Sequence, residues 1–237
     1  MHTRLGPGVT FTPPGEGGTR VFSVLSWGYE SPHQRRTPVP SPLRAGLQQI
    51  LRTKALSRRD EAIQLACGAM SRDFIDGKEA FAAWQDLKVA CDAIVEAVAA
   101  AGIEFDAAGG PTLGADALAV GIAAVSNKRW FIVRKRQKGR GTGRRIEGLQ
   151  IGRGDRVLLV EDVVTTGGSV IDALGAVRQT GAEVVAAVTL ADRGDTATNA
   201  FHELGVPYFP MATYADLGID PVVPPTDRPP MAESGVS

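Results

Sequence analysis

The segment Arg156 to Ser169 constrains the fold of this chain more than any other. It opens with Val157-Leu158-Leu159-Val160, a compact apolar run without polar alternation. A strand of that kind belongs in a sheet covered on both faces, where either side of the strand is shielded from water. Glu161-Asp162 follows at once, and then the turn Val163-Val164-Thr165-Thr166-Gly167-Gly168-Ser169. From Ser169 to Thr180 the spacing predicts a helix, with Val170, Ile171, Leu174 and Val177 facing inward and Gly181 as its stop. Val184 to Leu190 reads as another buried strand. Strand, helix, strand at these lengths implies a right-handed crossover and parallel pairing.

The alternation recurs upstream. Asp86 to Ala101 has a helical apolar face made of Leu87, Cys91, Ile94, Val95 and Val98, with Gly102 as its stop. A short strand is expected near Phe105 to Ala108, a loop over Gly109 to Gly114, a helix over Asp116 to Val125 and a strand over Trp130 to Val133. Thr196 to Leu204 reads as an exposed helix. The fold class is therefore α/β, an open and mainly parallel sheet flanked by helices. Proline sets the limits: seven of the 15 fall between Pro7 and Pro42, and five more between Pro221 and Pro230. Such stretches lack the apolar periodicity that offsets ordering entropy. Residues 1–43 are expected to form a mobile Pro/Gly-rich extension, 44–217 the folded domain, and 218–237 a Pro-rich tail.

Several function classes are disfavoured early. Lys and Arg number 26 against 26 Asp and Glu, and zero net charge argues against a basic coat for nucleic acid. The three histidines are His2, His33 and His202, and no GxSxG elbow accompanies them, which leaves no frame for a Ser-His-Asp system. Cys67 and Cys91 form no CxxC pair and no disulfide framework. No apolar run approaches the ~18 residues of a membrane span. The expected setting is the cytoplasm, with neither nucleic acid nor membrane as a partner.

What remains is chemistry for a phosphorylated ligand. In open α/β sheets, ligands bind beyond the carboxyl ends of the strands. At the end of the Arg156 strand, Gly167 and Gly168 let the backbone approach an anion, and a helix N-terminus supplies free N–H groups. Thr165, Thr166 and Ser169 add hydroxyl donors. Glu161 and Asp162 repel phosphate themselves, so they suit sugar hydroxyls or a hydrated cation on the same ligand. A second loop, Arg134 to Arg145, carries seven basic residues among twelve and no acid. It is expected to be a flexible lid that closes on the same anionic ligand, because it leaves a strand of the same sheet.

The segment Glu161 to Ser169 resembles the phosphoribosyl-pyrophosphate (PRPP) motif of type I phosphoribosyltransferases. Arg134-Lys135-Arg136-Gln137-Lys138-Gly139-Arg140-Gly141, followed by Ile146-Glu147-Gly148, narrows the resemblance to the orotate phosphoribosyltransferase family. Gly110-Pro111-Thr112-Leu113-Gly114 looks like the family's pyrophosphate-side loop, and Gly68 to Lys78 like part of its small N-terminal hood, at about residues 55–85. Ala191-Asp192-Arg193 is similar to the strand end whose Arg holds the orotate carboxylate.

The resemblance implies transfer of ribose 5-phosphate from PRPP to a base such as orotate, with Mg²⁺ carried by PRPP and a homodimer as the working form. It implies Lys138, Asp162 and Arg140 as catalytic residues. PRPP would be held by Arg134, Lys135, Lys138, Arg140, Glu161, Asp162 and the run Val163, Val164, Thr165, Thr166, Gly167, Gly168 and Ser169. The base would lie against Thr165, Arg193 and Phe74. No direct protein ligand to the metal is implied, since Asp162 and Glu161 would act through water. The family's loop histidine falls on Arg140, which keeps charge stabilisation but offers no proton exchange near neutral pH. Two alternatives stay open: a purine or other base as acceptor, and a non-catalytic regulator that senses PRPP.

Overall fold

The computed structural model describes residues 40–135 and 144–225. Helix α1 (Pro42–Ile50) begins where Ser41 Oγ accepts from the Arg44 amide and Pro42 takes the first helical position. It widens into a π-turn segment, Leu51–Ala55, and then gives the antiparallel hairpin β1 (Leu56–Gln64) and β2 (Met70–Ile75). A short helix α2 (Gly77–Ala80) follows, capped by the Asp76 carboxylate. The main body continues as α3 (Trp84–Ala100), β3 (Ala107–Pro111), α4 (Asp116–Ser126), β4 (Arg129–Val133) and β5 (Ile146–Gly148). It closes with β6 (Arg156–Val164), α5 (Gly168–Arg178), β7 (Glu183–Asp192), α6 (Thr196–Glu203), β8 (Tyr208–Thr213) and α7 (Tyr214–Leu217).

Six strands form one sheet in the order β5-β4-β3-β6-β7-β8. All neighbours pair in parallel except β5, which runs antiparallel to β4. This is the open, mainly parallel sheet expected from the apolar strands. Along β6 the side chains divide by twos. Leu158 and Val160 pack with Ile94, Val98 and Ile122 on one face, and Val157 and Leu159 pack with Val170, Leu174 and Phe201 on the other. Two-sided burial explains why this strand carries no polar alternation.

Three expectations need correction. Gly109, Gly110 and Pro111 are not a loop but the end of β3. A Cβ on Gly110 would lie 1.9 Å from the Val160 carbonyl oxygen, and one on Gly109 would lie 2.4 Å from that of Phe131. Glycine stands there because neighbouring chain leaves no room for a side chain, not because the backbone turns. Strand β6 also runs past Val160 to Val164, so Glu161 and Asp162 lie within it. Helix α6 is exposed on one side only: Ala197 and Phe201 are buried, whereas His202 faces outward.

Packing also passes the expected limits of the domain. Helix α1 starts at Pro42, and Ile219 and Val222 are buried beyond residue 217. The Val222 amide donates to the Arg193 carbonyl at 2.7 Å. The remainder of the expected extension and tail, residues 1–39 and 226–237, lies outside the described residues.

Candidate active site

The carboxyl ends of β3, β4 and β6 converge on a cleft of about 500 Å³. Its floor is the turn from β6 into α5, with Val163, Val164, Thr165, Thr166, Gly167, Gly168 and Ser169 all on the lining. Gly167 caps α5 in the left-handed conformation, φ 76°, which glycine adopts without strain. The cap residue, a glycine, offers no side-chain acceptor to the first amides of the helix. Thr166 Oγ1 accepts from the Gly168 amide at 3.4 Å and stiffens the turn. The result is a concave anion seat at a helix N-terminus.

Lys135 and Glu161 share this cleft, so cation and acid meet across it. Glu161 is only 6% exposed. Burial, and then the Asp162 carboxylate beside it, pushes its carboxyl up to about 9. Asp162 is held more openly. Its Oδ1 accepts from the Val163 amide at 2.7 Å, and Lys78 Nζ stands 3.8 Å from its Oδ2. Gly114 lies against both acids, since a Cβ there would be 2.4 Å from Asp162 Oδ1 and from Glu161 Oε1. Pro111 lines the cleft, and Thr112, Leu113 and Gly114 follow it in a turn whose Thr112–Leu113 peptide is cis.

The basic loop leaves β4 at Arg134 and returns at Arg145, and the two ends are zipped together. The Arg134 amide donates to the Arg145 carbonyl at 2.8 Å, and Arg145 Nε donates to the Arg134 carbonyl at 3.0 Å. The Arg145 guanidinium also clasps the Asp172 carboxylate on α5, and Arg134 stands 3.6 Å from Glu147. Arg145 therefore secures the stem of the loop instead of adding to a lid of seven cations. Lys138 and Arg140 lie outside the described residues.

The residues expected at the base divide. Thr165 lines the cleft. Arg193 lies at the end of β7, is 3% exposed and sits under the hairpin. Its guanidinium donates to Ser71 Oγ at 3.0 Å and to the Asp73 carbonyl at 2.6 Å. Its Nε is buried without a partner among the described residues. Burial lowers its guanidinium from the ordinary value, and the Asp73 carboxylate offsets part of that. Phe74 is not brought to the cleft; the Arg59 guanidinium covers its ring at 5.1 Å. The reason is strand alternation: Asp73 and Ile75 are buried, so Phe74 between them takes the other face. The hood resemblance includes Gly77 and Lys78 but gives neither a role, and both reach Asp162 across the fold.

A sheet of this order with an anion seat, paired acids and a cationic loop stem at its carboxyl edge defines the phosphoribosyltransferase class. The chain matches the phosphoribosyl transferase domain over residues 79–202. An orotate phosphoribosyltransferase of Pyrococcus abyssi is 40% identical over 153 residues, spanning 65% of this chain and 84% of the relative. One from Streptomyces coelicolor is 46% identical over 126 residues, or 51% of this chain and 69% of the relative. The Mycobacterium tuberculosis orotate phosphoribosyltransferase solved in complex with PRPP superposes with a TM-score of 0.62 and 32% identity, covering 75% of this chain and 100% of that one. The chain belongs to the orotate phosphoribosyltransferase family.

Proposed function

We propose that this chain transfers the ribose 5-phosphate group of PRPP to orotate, giving orotidine 5′-monophosphate and pyrophosphate. One observation carries the reading: a single cleft joins the anion seat of α5 to Glu161 and Lys135, with Asp162 the next residue of β6 after Glu161. In the reaction a bond forms between a base nitrogen and C1 of the ribose, and the C1–oxygen bond to pyrophosphate breaks. The transition state has oxocarbenium character, so catalysis rests on positioning and charge stabilisation. The turn Val163 to Ser169 clamps the 5′-phosphate, and Asp162 and Glu161 hold the sugar hydroxyls. Arg134 and Lys135, with Lys138 and Arg140 of the loop, neutralise the leaving pyrophosphate. Gly110 to Gly114 flank the same group. Arg193 pairs with the substrate carboxylate through its planar fork, and Thr165 lies within reach of the base.

The donor set suits Mg²⁺. The Asp162 carboxylate and the oxygens of the adjacent Glu161 carboxyl are hard donors. A cation that keeps its waters and takes further oxygens from the substrate matches that arrangement. When bound, it supplies charge neutralisation at the pyrophosphate. The working form is a homodimer in the cytoplasm, a setting that the two free and buried cysteines favour. Among the described residues, no helix is long and apolar enough to cross a membrane.

The test is a turnover assay with PRPP, Mg²⁺ and a panel of bases. Orotate-dependent pyrophosphate release is expected. Release with purines alone would move the reading to another acceptor, and no release with any base would favour a PRPP-sensing regulator. Arg193→Ala is expected to abolish orotate turnover while calorimetric PRPP binding persists, and retained turnover would remove Arg193 from the base site.

A further inference from the structure

We propose that Lys78, on the hood, is a further contact for the pyrophosphate moiety of the ligand, next to the sugar; this rests on the activity proposed above. The hood reaches the acids because position 77 is glycine. A Cβ there would come within 3.0 Å of Asp162 Cβ and 3.2 Å of its Oδ2. Asp76 fixes the direction of the next residue, its Oδ1 accepting from the Lys78 and Glu79 amides at 3.0 and 3.1 Å. The Lys78 ammonium thus stands between two carboxylates, 3.7 Å from Asp76 Oδ1 and 3.8 Å from Asp162 Oδ2.

Both separations exceed hydrogen-bond reach, so these ion pairs leave the three N–H donors of the ammonium able to meet a ligand oxygen. The side chain is 60% exposed, which gives a ligand access to it. Charge also favours the contact. Asp162 would otherwise face an incoming pyrophosphate, and among the described residues that line the cleft the cations are Arg134, Lys135 and Arg145, at β4 and the ends of its loop. Lys78 supplies one from the hood, while Gly114 closes the acids from another direction. Exposed ion pairs of this length contribute little to stability, so removing the lysine leaves the fold intact.

The experiment uses the full chain and three variants, Lys78→Ala, Lys78→Met and Lys78→Arg. PRPP binding with Mg²⁺ and no base is measured by calorimetry, and KM for PRPP and for orotate by steady-state turnover. The Ala and Met variants are expected to weaken PRPP binding and raise its KM about tenfold, the loss of one hydrogen bond to a charged group. KM for orotate is expected to stay within about twofold, and Lys78→Arg to recover most of the affinity. Ribose 5-phosphate, which lacks the pyrophosphate, is expected to bind wild type and Lys78→Ala alike. Unchanged PRPP affinity in the Ala and Met variants would overturn the proposal, as would an equal loss for ribose 5-phosphate or a failure of arginine to rescue. Wild-type turnover tests the activity separately: if it is absent, the calorimetric comparison still decides the role of Lys78.

Discussion

Glu161 carries a proton that its neighbours impose. Its carboxyl is pushed up to about 9 from an ordinary 4.5, first by burial and next by the charge of Asp162. Between those values the folded chain retains a proton that the unfolded chain has released, so stability falls as pH rises across the window. Glu161→Gln removes that titration. Thermal unfolding from about pH 5 to 9 is expected to show a steeper decline for wild type than for the variant, and parallel profiles would contradict it. The acids themselves were legible in the sequence because no structural need explains two adjacent carboxylates at the end of an apolar strand. Lys78 was not, because a lysine after Asp76-Gly77 has no local signature and its meaning comes from Asp162, far along the chain. For Phe74 a hairpin strand offers two faces, and sequence alone does not say which one a ring will take.

Among the elements, the apolar strands β6 and β7 and the helices α3, α4 and α5 were legible from periodicity, since each has a consistent buried face. Strand β8 was not. It contains Pro210, and proline is tolerated there because β8 is the last strand of the sheet. Helix α1 hid beside the proline-rich region, although Ser41-Pro42 is a good helix start. The stem of the basic loop is an element-scale feature as well. Arg145 ties the return strand to α5, the helix whose N-terminus opens on the cleft, through Asp172. Asp172→Asn is expected to lower turnover severalfold. Stability should change by less than about 1 kcal/mol, because the acid is largely exposed. Steady-state kinetics beside thermal unfolding separates the two effects, and an equal loss in both would assign Asp172 to the fold alone.

For the whole molecule, the segment after α7 belongs to the packed unit. Ile219 and Val222 are buried, and Val222 bonds to the backbone of Arg193. Ending the chain at Leu217 is expected to cost roughly 3 kcal/mol or more, from two lost apolar side chains. A fall in melting temperature of about 6 °C or more should follow, and an unchanged value would return those residues to a mere tail. Strand β5 has a wider consequence. Its three residues form one outer margin of the sheet, are joined antiparallel to β4, and carry Glu147 beside Arg134. A short, charged rim discourages strand-by-strand addition of other chains. The return leg of the basic loop is thus also a guard against edge-to-edge stacking. Any relative with a trimmed loop would need another way to blunt that border, or would gain a tendency to stack.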